Sequence, residues 1–382
     1  MYGLSKEDIN LAKQKINKAK HYILHNGVSY IDDKNREVFI PYSDFTKNAW
    51  HNADKYIAEI QNRANSLVTY ATNRGLVNIF ITLTLPSHFH PTKTLKNGKV
   101  IKNPKYIHHE DFSPKAGSKH LSKMWKRILD LRPLKDIGKD NKCYFRVTEP
   151  HKNGTPHLHI SLYIPKENID KVINAIFRIY KIPQIEISSQ HIPSGYSKTY
   201  EKTVKKFIYK KDPNDNFGIT TLIKNPFSYL MKYILKTFDD LRADDSKFTD
   251  LTLWYIHHGI CRFYTSRTLI PLSVYRKINY KDEFQDMYIA TIEFKKNRLS
   301  LWYKLDYTID NITGEVTEIT SLSSIEYKSK TIWKKKEFIE TRYDPHENIP
   351  IPIDSEEFYL INGLLSNNTD SPHDILDDEE SI

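Results

Sequence analysis

The sequence predicts an α+β fold on three observations. The stretch Glu149-Pro-His-Lys-Asn-Gly-Thr-Pro-His-Leu-His-Ile-Ser-Leu-Tyr163 reads with period two. His157, His159, Ser161 and Tyr163 fall on one side of a strand, and Leu158, Ile160, Leu162 and Ile164 on the other. A second strand, Asn78 to Pro86, alternates aliphatic residues with Phe80, Thr82 and Thr84. Apolar residues at helical spacing supply helices at His120 to Leu131 and Asn168 to Tyr180, between and after those strands.

Taken in order, Ser5 and Asp8 form a capping box that opens a helix with Ile9, Ala12, Ile16, Ala19 and Ile23 on one face. A hairpin pairs Val28 to Ile31 with Val38 to Tyr42, turning at Asp33-Lys34-Asn35. A long helix runs from Ser43 or Asp44 to Arg74, with Trp50, Ile57, Ile60, Ala64, Leu67 and Ala71 inward and Gly75 as its stop. Beyond Pro86 lies a long loop, Ser87 to Gly117, in which His88, His90, His108 and His109 are expected to be solvated. The helix from His120 buries Leu121, Met124, Trp125, Ile128 and Leu129 and leads to a strand, Tyr144 to Thr148, that ends at Glu149. Gln184 to Ile192 reads as a further strand. Alternating runs near Met287 to Phe294, Leu299 to Ile309 and Glu315 to Tyr327 make a small β-rich appendage, its last two runs joined by a turn at Asn311-Ile-Thr-Gly314. The polar, acidic stretch Ser366 to Ile382 is expected to be disordered. The expected organisation is an N-terminal helical support (1–75), a catalytic domain (76–280), the appendage (281–345) and an acidic tail (346–382).

The 382 residues carry a net charge of +10, but no Lys or Arg follows Arg342 while acidic residues accumulate there. The body is therefore about +20, which favours a polyanionic partner. The two cysteines, Cys143 and Cys261, sit in apolar surroundings and make no disulfide framework; both read as small buried residues. No run approaches the roughly 18 apolar residues of a membrane span, and the polar start is unlike a signal peptide. A cytosolic protein of a reducing compartment is expected. The chain has no Gly-x4-Gly-Lys-Ser/Thr loop, hence no motor of that type.

Two imidazoles at i and i+2 on one strand face, with one carboxylate, make a three-ligand site for a divalent ion with open positions for substrate. Glu149 is the nearest carboxylate, folded back beside His157 and His159 by the Lys152-Asn153-Gly154 turn. Downstream, Asn225 to Asp240 reads as a helix with Tyr229, Tyr233, Lys236 and Asp240 on one narrow face. Phe227, Leu230, Met231, Ile234 and Phe238 fall opposite. Two phenols one turn apart, beside an ammonium, match what transfer of a DNA phosphate to tyrosine requires. The segment Lys198 to Lys211 interleaves cations with Tyr200, Phe207 and Tyr209, which suits either a phosphate-tracking groove or an exposed basic hairpin. Lys205, Lys206, Tyr209 and Lys210, with Lys224 and Lys232, are the candidate DNA contacts.

Three segments, in this order, resemble the signature motifs of the phage replication gene A proteins, HUH endonucleases that initiate rolling-circle replication. They are Phe80-Ile-Thr-Leu-Thr-Leu-Pro-Ser-His-Phe-His-Pro91, Glu149 to His159, and Tyr229-Leu-Met-Lys-Tyr-Ile-Leu-Lys236. Trp254-Tyr-Ile-His-His-Gly-Ile-Cys-Arg-Phe263 is similar to a segment that follows those motifs. The resemblance covers roughly residues 45–280 and departs at Leu158, Asn153 and Leu85, where Trp, Asp and Cys are usual. It implies an HUH endonuclease domain with a central antiparallel sheet of RRM-like topology flanked by helices. In that reading His157 and His159 hold Mg²⁺ or Mn²⁺, with Glu149 the first choice and His151 the second for third ligand. Tyr229 and Tyr233 attack the scissile phosphate in turn, aided by Lys236, through a 5′-phosphotyrosine. The implied partners are single-stranded or supercoiled origin DNA with a host helicase and polymerase, inside a bacterial cell. An HUH transposase, a mobilisation relaxase and a non-catalytic RRM-like binding protein are the competing readings.

Overall fold

The computed structural model describes residues 2–32, 34–46, 52–95, 97–180, 185–189, 248–309, 316–335, 339–343 and 350–352. In chain order the elements begin with α1 (Lys6–His25), β1 (Asn26–Ile31), β2 (Glu37–Pro41), α2 (Tyr42–Phe45), α3 (Ala53–Asn73) and β3 (Val77–Thr84). They continue with β4 (Thr92–Thr94), β5 (Val100–Lys102), α4 (Pro114–Leu129), α5 (Arg132–Lys135), β6 (Cys143–Pro150), β7 (Pro156–Ile164), α6 (Ile169–Ile179) and β8 (Ile185–Ser189). After residue 247 come α7 (Asp250–His258), β9 (Phe263–Thr265), α8 (Leu272–Ile278), α9 (Met287–Lys295), β10 (Leu299–Ile309), β11 (Val316–Tyr327), β12 (Lys330–Lys334), β13 (Ile339–Tyr343) and β14 (Pro350–Pro352). They form two units, one including Met1–Ile23 and Phe45–Thr268, the other Leu24–Asp44 and Leu269–Ile353.

The first unit is mixed helix and antiparallel sheet, the α+β class expected from the sequence. Its five strands run in the order β8-β3-β7-β6-β9, each antiparallel to its neighbour. β7 is thus paired on both sides: Thr82 faces His159 across β3, and Glu149 faces His157 across β6. The alternation in its sequence does what period two requires. Leu158, Ile160, Leu162 and Ile164 join Ile79, Ile81 and Leu83 in one core. Leu121, Met124, Trp125 and Ile128 of α4, with Ile169, Val172, Ile173 and Ile176 of α6, cover that face. The opposite face carries the histidines, and α3 lies against β6 there, with Arg63 Nη2 donating to Thr265 Oγ1 at 2.9 Å. Ser161, deep in the sheet, is satisfied by Asn78 Nδ2 at 2.5 Å.

At the N-terminus the capping box is made as read: Asp8 N donates to Ser5 Oγ and Ser5 N to the Asp8 carboxylate. The structure differs from the sequence reading at α4, which starts at Pro114 rather than His120. Ser113 Oγ accepts from Ala116 N, and proline at the first helical position has no amide hydrogen to satisfy, so the helix gains a turn and a half. Before it, the loop beyond Pro86 is ordered by one buried residue, Asn103, whose Nδ2 donates to the carbonyls of Ser87 at 2.7 Å and His90 at 2.8 Å. The single long helix expected from Ser43 or Asp44 is instead interrupted: α2 ends at Phe45 and α3 starts afresh at Ala53, where Asn52 Oδ1 caps it by accepting from Lys55 N, and Trp50 lies outside the described residues. Its stripe of Ile57, Ile60, Ala64, Leu67 and Ala71 is buried.

The second unit holds a four-stranded sheet, β14-β13-β1-β2, and a three-stranded one, β10-β11-β12. The expected hairpin at residues 28–42 is β1–β2, closed by Asp32, whose carboxylate accepts from Lys34 N and Arg36 N. β10 and β11 match the alternating runs, and the turn at 311–314 lies outside the described residues. The run near Met287 to Phe294 is a helix, α9, not a strand. Asp286 caps it by accepting from Tyr288 N, and Met287, Ala290 and Thr291 are its buried side, with Thr291 Oγ1 donating to the Met287 carbonyl. A β-branched composition is overridden here by packing at helical spacing.

Candidate metal centre

The antiparallel turn between β6 and β7 brings together what the sequence separates by eight positions. Glu149 and His157 are register partners, and His159 stands two residues further along the same face. The three ligand atoms lie within 4.8 Å of one another. Nε2 of His157 and Nε2 of His159 are 3.0 Å apart, and Glu149 Oε2 is 3.8 Å from the first and 3.9 Å from the second.

Both rings are buried, and burial pushes His159 down to about 3 and His157 well below the usual imidazole value. The neighbouring imidazoles add to this, that of His151 at His159 and those of His159, His151 and His90 at His157. Neutral imidazole is the form that ligates metal. Thr82 Oγ1 sits 3.0 Å from Nδ1 of His159, so a hydrogen on Nδ1 engages the hydroxyl and leaves the Nε2 lone pair directed at Glu149 and His157. Phe80 stacks on the same ring at 5.6 Å between centroids and fixes its plane.

This donor set fits a divalent ion. Adjacent ligands about 2.1 Å from one octahedral centre are about 3.0 Å apart, and the two Nε2 atoms have that spacing. Two imidazoles with one carboxylate are a mixed nitrogen and oxygen donor set for a first-row divalent ion, with positions left open. His151, the alternative third ligand, stacks flat on His157 at 4.3 Å and is driven down to about 4, first by burial and then by His90. Among the described residues the metal-competent group is Glu149, His157 and His159, without His151.

His90 was expected in solvent together with His88, His108 and His109. His108 and His109 are exposed, but His88 is partly buried against Phe89 and Phe112, and His90 is half-buried, 5.5 Å from His151 between ring centroids, with Nε2 3.1 Å from the Leu85 carbonyl. Two residues absent from the sequence reading of the site hold the ligand-bearing turn. Trp254 Nε1 donates to the Gly154 carbonyl at 3.1 Å, and the buried Tyr255 hydroxyl donates to the Thr148 carbonyl at 2.5 Å. Gly154 itself has φ +86°, and a Cβ there would overlap the Tyr2 carbonyl, so only glycine fits. The regular spacing of Thr82 against His159 could have been read from the strand pattern; Trp254 and Tyr255 arrive from 100 residues or more away, and no local signal marks them.

Tyr229, Tyr233 and Lys236, and the candidate contacts Lys205, Lys206, Tyr209, Lys210, Lys224 and Lys232, lie outside the described residues. No helix among the described residues is long and apolar enough to cross a membrane. Of the two cysteines, Cys143 is buried and Cys261 partly so.

Residues 5–240 match the family described as bacteriophage replication gene A protein, a span that includes Glu149, His157, His159, Tyr229 and Tyr233. Over 131 residues the chain is 34% identical to the replication gene A protein of Escherichia phage P2, covering 33% of this chain and 16% of that protein. Over 183 residues it is 30% identical to the replication protein of Haemophilus phage HP1, covering 47% of this chain and 19% of the relative. It is also 27% identical over 189 residues to the replication gene A protein of Escherichia phage 186, covering 49% of this chain and 23% of the relative. The aligned segments span less than a quarter of each relative's length. No solved structure matches.

Proposed function

The chain belongs to the bacteriophage replication gene A protein family, and we propose that it initiates rolling-circle DNA replication by nicking and rejoining single-stranded origin DNA. The observation that carries this reading is the convergence of Glu149, His157 and His159 on one face of a central strand, opposite its aliphatic core. The strand sequence supports it as well: β3, α4, β6, β7, α6 and β8 follow one another along the chain and stand in the sheet as β8-β3-β7-β6, an RRM-like arrangement.

Glu149, His157 and His159 would hold Mg²⁺ or Mn²⁺, which supplies a Lewis acid for a non-bridging oxygen of the scissile phosphate. Thr82 keeps His159 in the ligating tautomer, and Phe80 keeps its plane. Tyr229 or Tyr233 supplies the nucleophile. Its phenol oxygen bonds to phosphorus as the bond to the 3′ oxygen breaks, giving a 5′-phosphotyrosine and a free 3′-hydroxyl for a host polymerase. A phenol titrates near 10, and Lys236, three residues from Tyr233 in the sequence, would favour the phenolate through its charge. The second tyrosine cuts the regenerated origin, and the 3′-hydroxyl released then closes the circle. A host helicase or supercoiling opens the duplex.

The test uses a randomised pool of 3′-labelled single-stranded DNA with Mn²⁺, followed by denaturing electrophoresis. A labelled protein band is expected, absent after prior EDTA and absent in Tyr229→Phe/Tyr233→Phe. A band that persists in the double variant would refute the tyrosine assignment, and no band at all from the parent chain would refute the nicking reading.

A further inference from the structure

On the sheet face opposite the metal centre, α4 carries Lys115, Lys119, Lys123 and Lys126, spaced four, four and three residues apart. That spacing keeps all four on one stripe of the helix, and all four are exposed. α4 contains no acidic residue, and among the described residues no carboxylate pairs with any of the four. Glu110 and Asp111 precede the helix and Asp130 caps its end. A row of like charges on one helix repels itself, so its retention without acids between is a cost to folding that a polyanion would relieve.

The helix starts at the ligand end of the sheet. Gly117 lies so close to Leu85 and Pro156 that a Cβ there would stand 2.7 Å from Leu85 Cδ1 and 3.2 Å from Pro156 Cγ. Pro156 immediately precedes His157. The neighbouring β4–β5 hairpin adds exposed Lys99 and Lys102, and Asn153 of the ligand turn reaches its Thr92 carbonyl at 3.3 Å. The N-terminal end of α4 therefore lies beside the strand that carries His157, with the lysines of the β4–β5 hairpin tied to the same turn through Asn153.

We propose that the α4 lysine stripe is a docking surface for the phosphate backbone of duplex DNA flanking the cut site. The choice of DNA as ligand rests on the nicking reading above. The choice of duplex comes from what the stripe lacks: single-strand grooves combine cations with aromatic stacking faces, and the lysine stripe of α4 carries none, Trp125 being buried and the exposed His120 ring lying off the stripe against Phe89. The row spans about 16 Å at 1.5 Å per residue, enough to follow successive phosphates along a rigid backbone but not to read base edges.

The test compares the parent chain with Lys115→Gln/Lys119→Gln/Lys123→Gln/Lys126→Gln in binding a random-sequence duplex, titrated at several salt concentrations. A control, Lys6→Gln/Lys13→Gln/Lys15→Gln/Lys18→Gln, removes the same charge from α1. If each lysine meets one phosphate, the slope of log K against log salt flattens by about 3.6 in the α4 variant. Affinity near 0.1 M salt then falls on the order of 100-fold or more, with the control much nearer the parent. An unchanged slope in the α4 variant, or an equal loss in the α1 control, overturns the proposal. The phosphotyrosine assay on the parent chain judges the nicking reading separately, because duplex binding needs neither the tyrosines nor the metal.

Discussion

Lowering the pH from 7 to 5 is expected to destabilise the unit that holds the metal centre by about 6 kcal/mol. Three of its histidines supply the figure. Burial, with neighbouring imidazoles, holds His159 at about 3, His151 at about 4 and His258 at about 4. In the unfolded chain each titrates near 6.5. At pH 5 the unfolded state therefore binds a proton at each position and the folded state does not, so stability falls as pH falls. At about 1.4 kcal/mol per pH unit below 6.5, each costs about 2 kcal/mol at pH 5. His157 acts in the same direction. Stability should be full above about pH 6.5, decline steadily towards pH 4 and level off near the folded values. Asp8, whose carboxyl is held down by its hydrogen bonds to Ser5, adds its loss only below the ordinary carboxylate range. Total stabilities of about 5–15 kcal/mol make the effect large enough to unfold the unit. Urea titrations at pH 7, 6 and 5, read by tryptophan fluorescence, measure it. His258→Gln should remove at most about one third of the difference without touching the Glu149, His157 and His159 group, and saturating Mn²⁺ should stabilise by about as much at pH 5 as at pH 7, because the folded imidazoles are neutral at both. Coincident urea midpoints at pH 7 and 5, or an undiminished pH dependence in His258→Gln, would refute the reasoning.

Other expected outcomes concern the centre and its supports. His157→Ala and Glu149→Gln should each weaken Mn²⁺ binding at least about tenfold by isothermal titration with unchanged circular dichroism, and parent-like affinity would remove that residue from the ligand set. Thr82→Val, which deletes the hydroxyl beside His159 Nδ1, should lower Mn²⁺ affinity by about 10–100-fold; an unaltered titration would mean that the tautomer needs no such help. Tyr255→Phe should cost about 1–3 kcal/mol in urea titrations by stranding the buried Thr148 carbonyl, and a loss within error would show water taking its place. Gly154→Ala should lower the thermal midpoint, since left-handed backbone costs a Cβ residue about 1–2 kcal/mol even before the overlap with Tyr2. A midpoint at or above the parent's would contradict the turn geometry.

Much of the centre was legible in the sequence because its logic is local. The two histidines and the aliphatic residues between them are sorted by strand parity alone, and a tight turn returns Glu149 beside them. Thr82 was legible in principle, as the polar member of an alternating strand. His90 was not, because nothing in a Lys- and His-rich loop shows that Asn103 will pin it down beside His151. The first turns of α4 were missed because Ser113-Pro114 reads equally well as loop punctuation, and α9 because Ile and Thr at alternating positions mimic a strand. Trp254 and Tyr255 are tied to the ligand turn by hydrogen bonds across 100 and 107 positions, a distance at which local pattern carries no information.

The double-sided pairing of β7 has a consequence for how this chain can vary. Ligand identity and core identity are there encoded by odd and even positions of a single strand, locked on both flanks. Deleting any one residue between Leu158 and Leu162 would put imidazole and leucine positions on the wrong sides of the sheet, whereas many point replacements would keep the sorting of the two faces. Within this strand, deletion scanning should meet an abrupt wall where substitution scanning meets a slope.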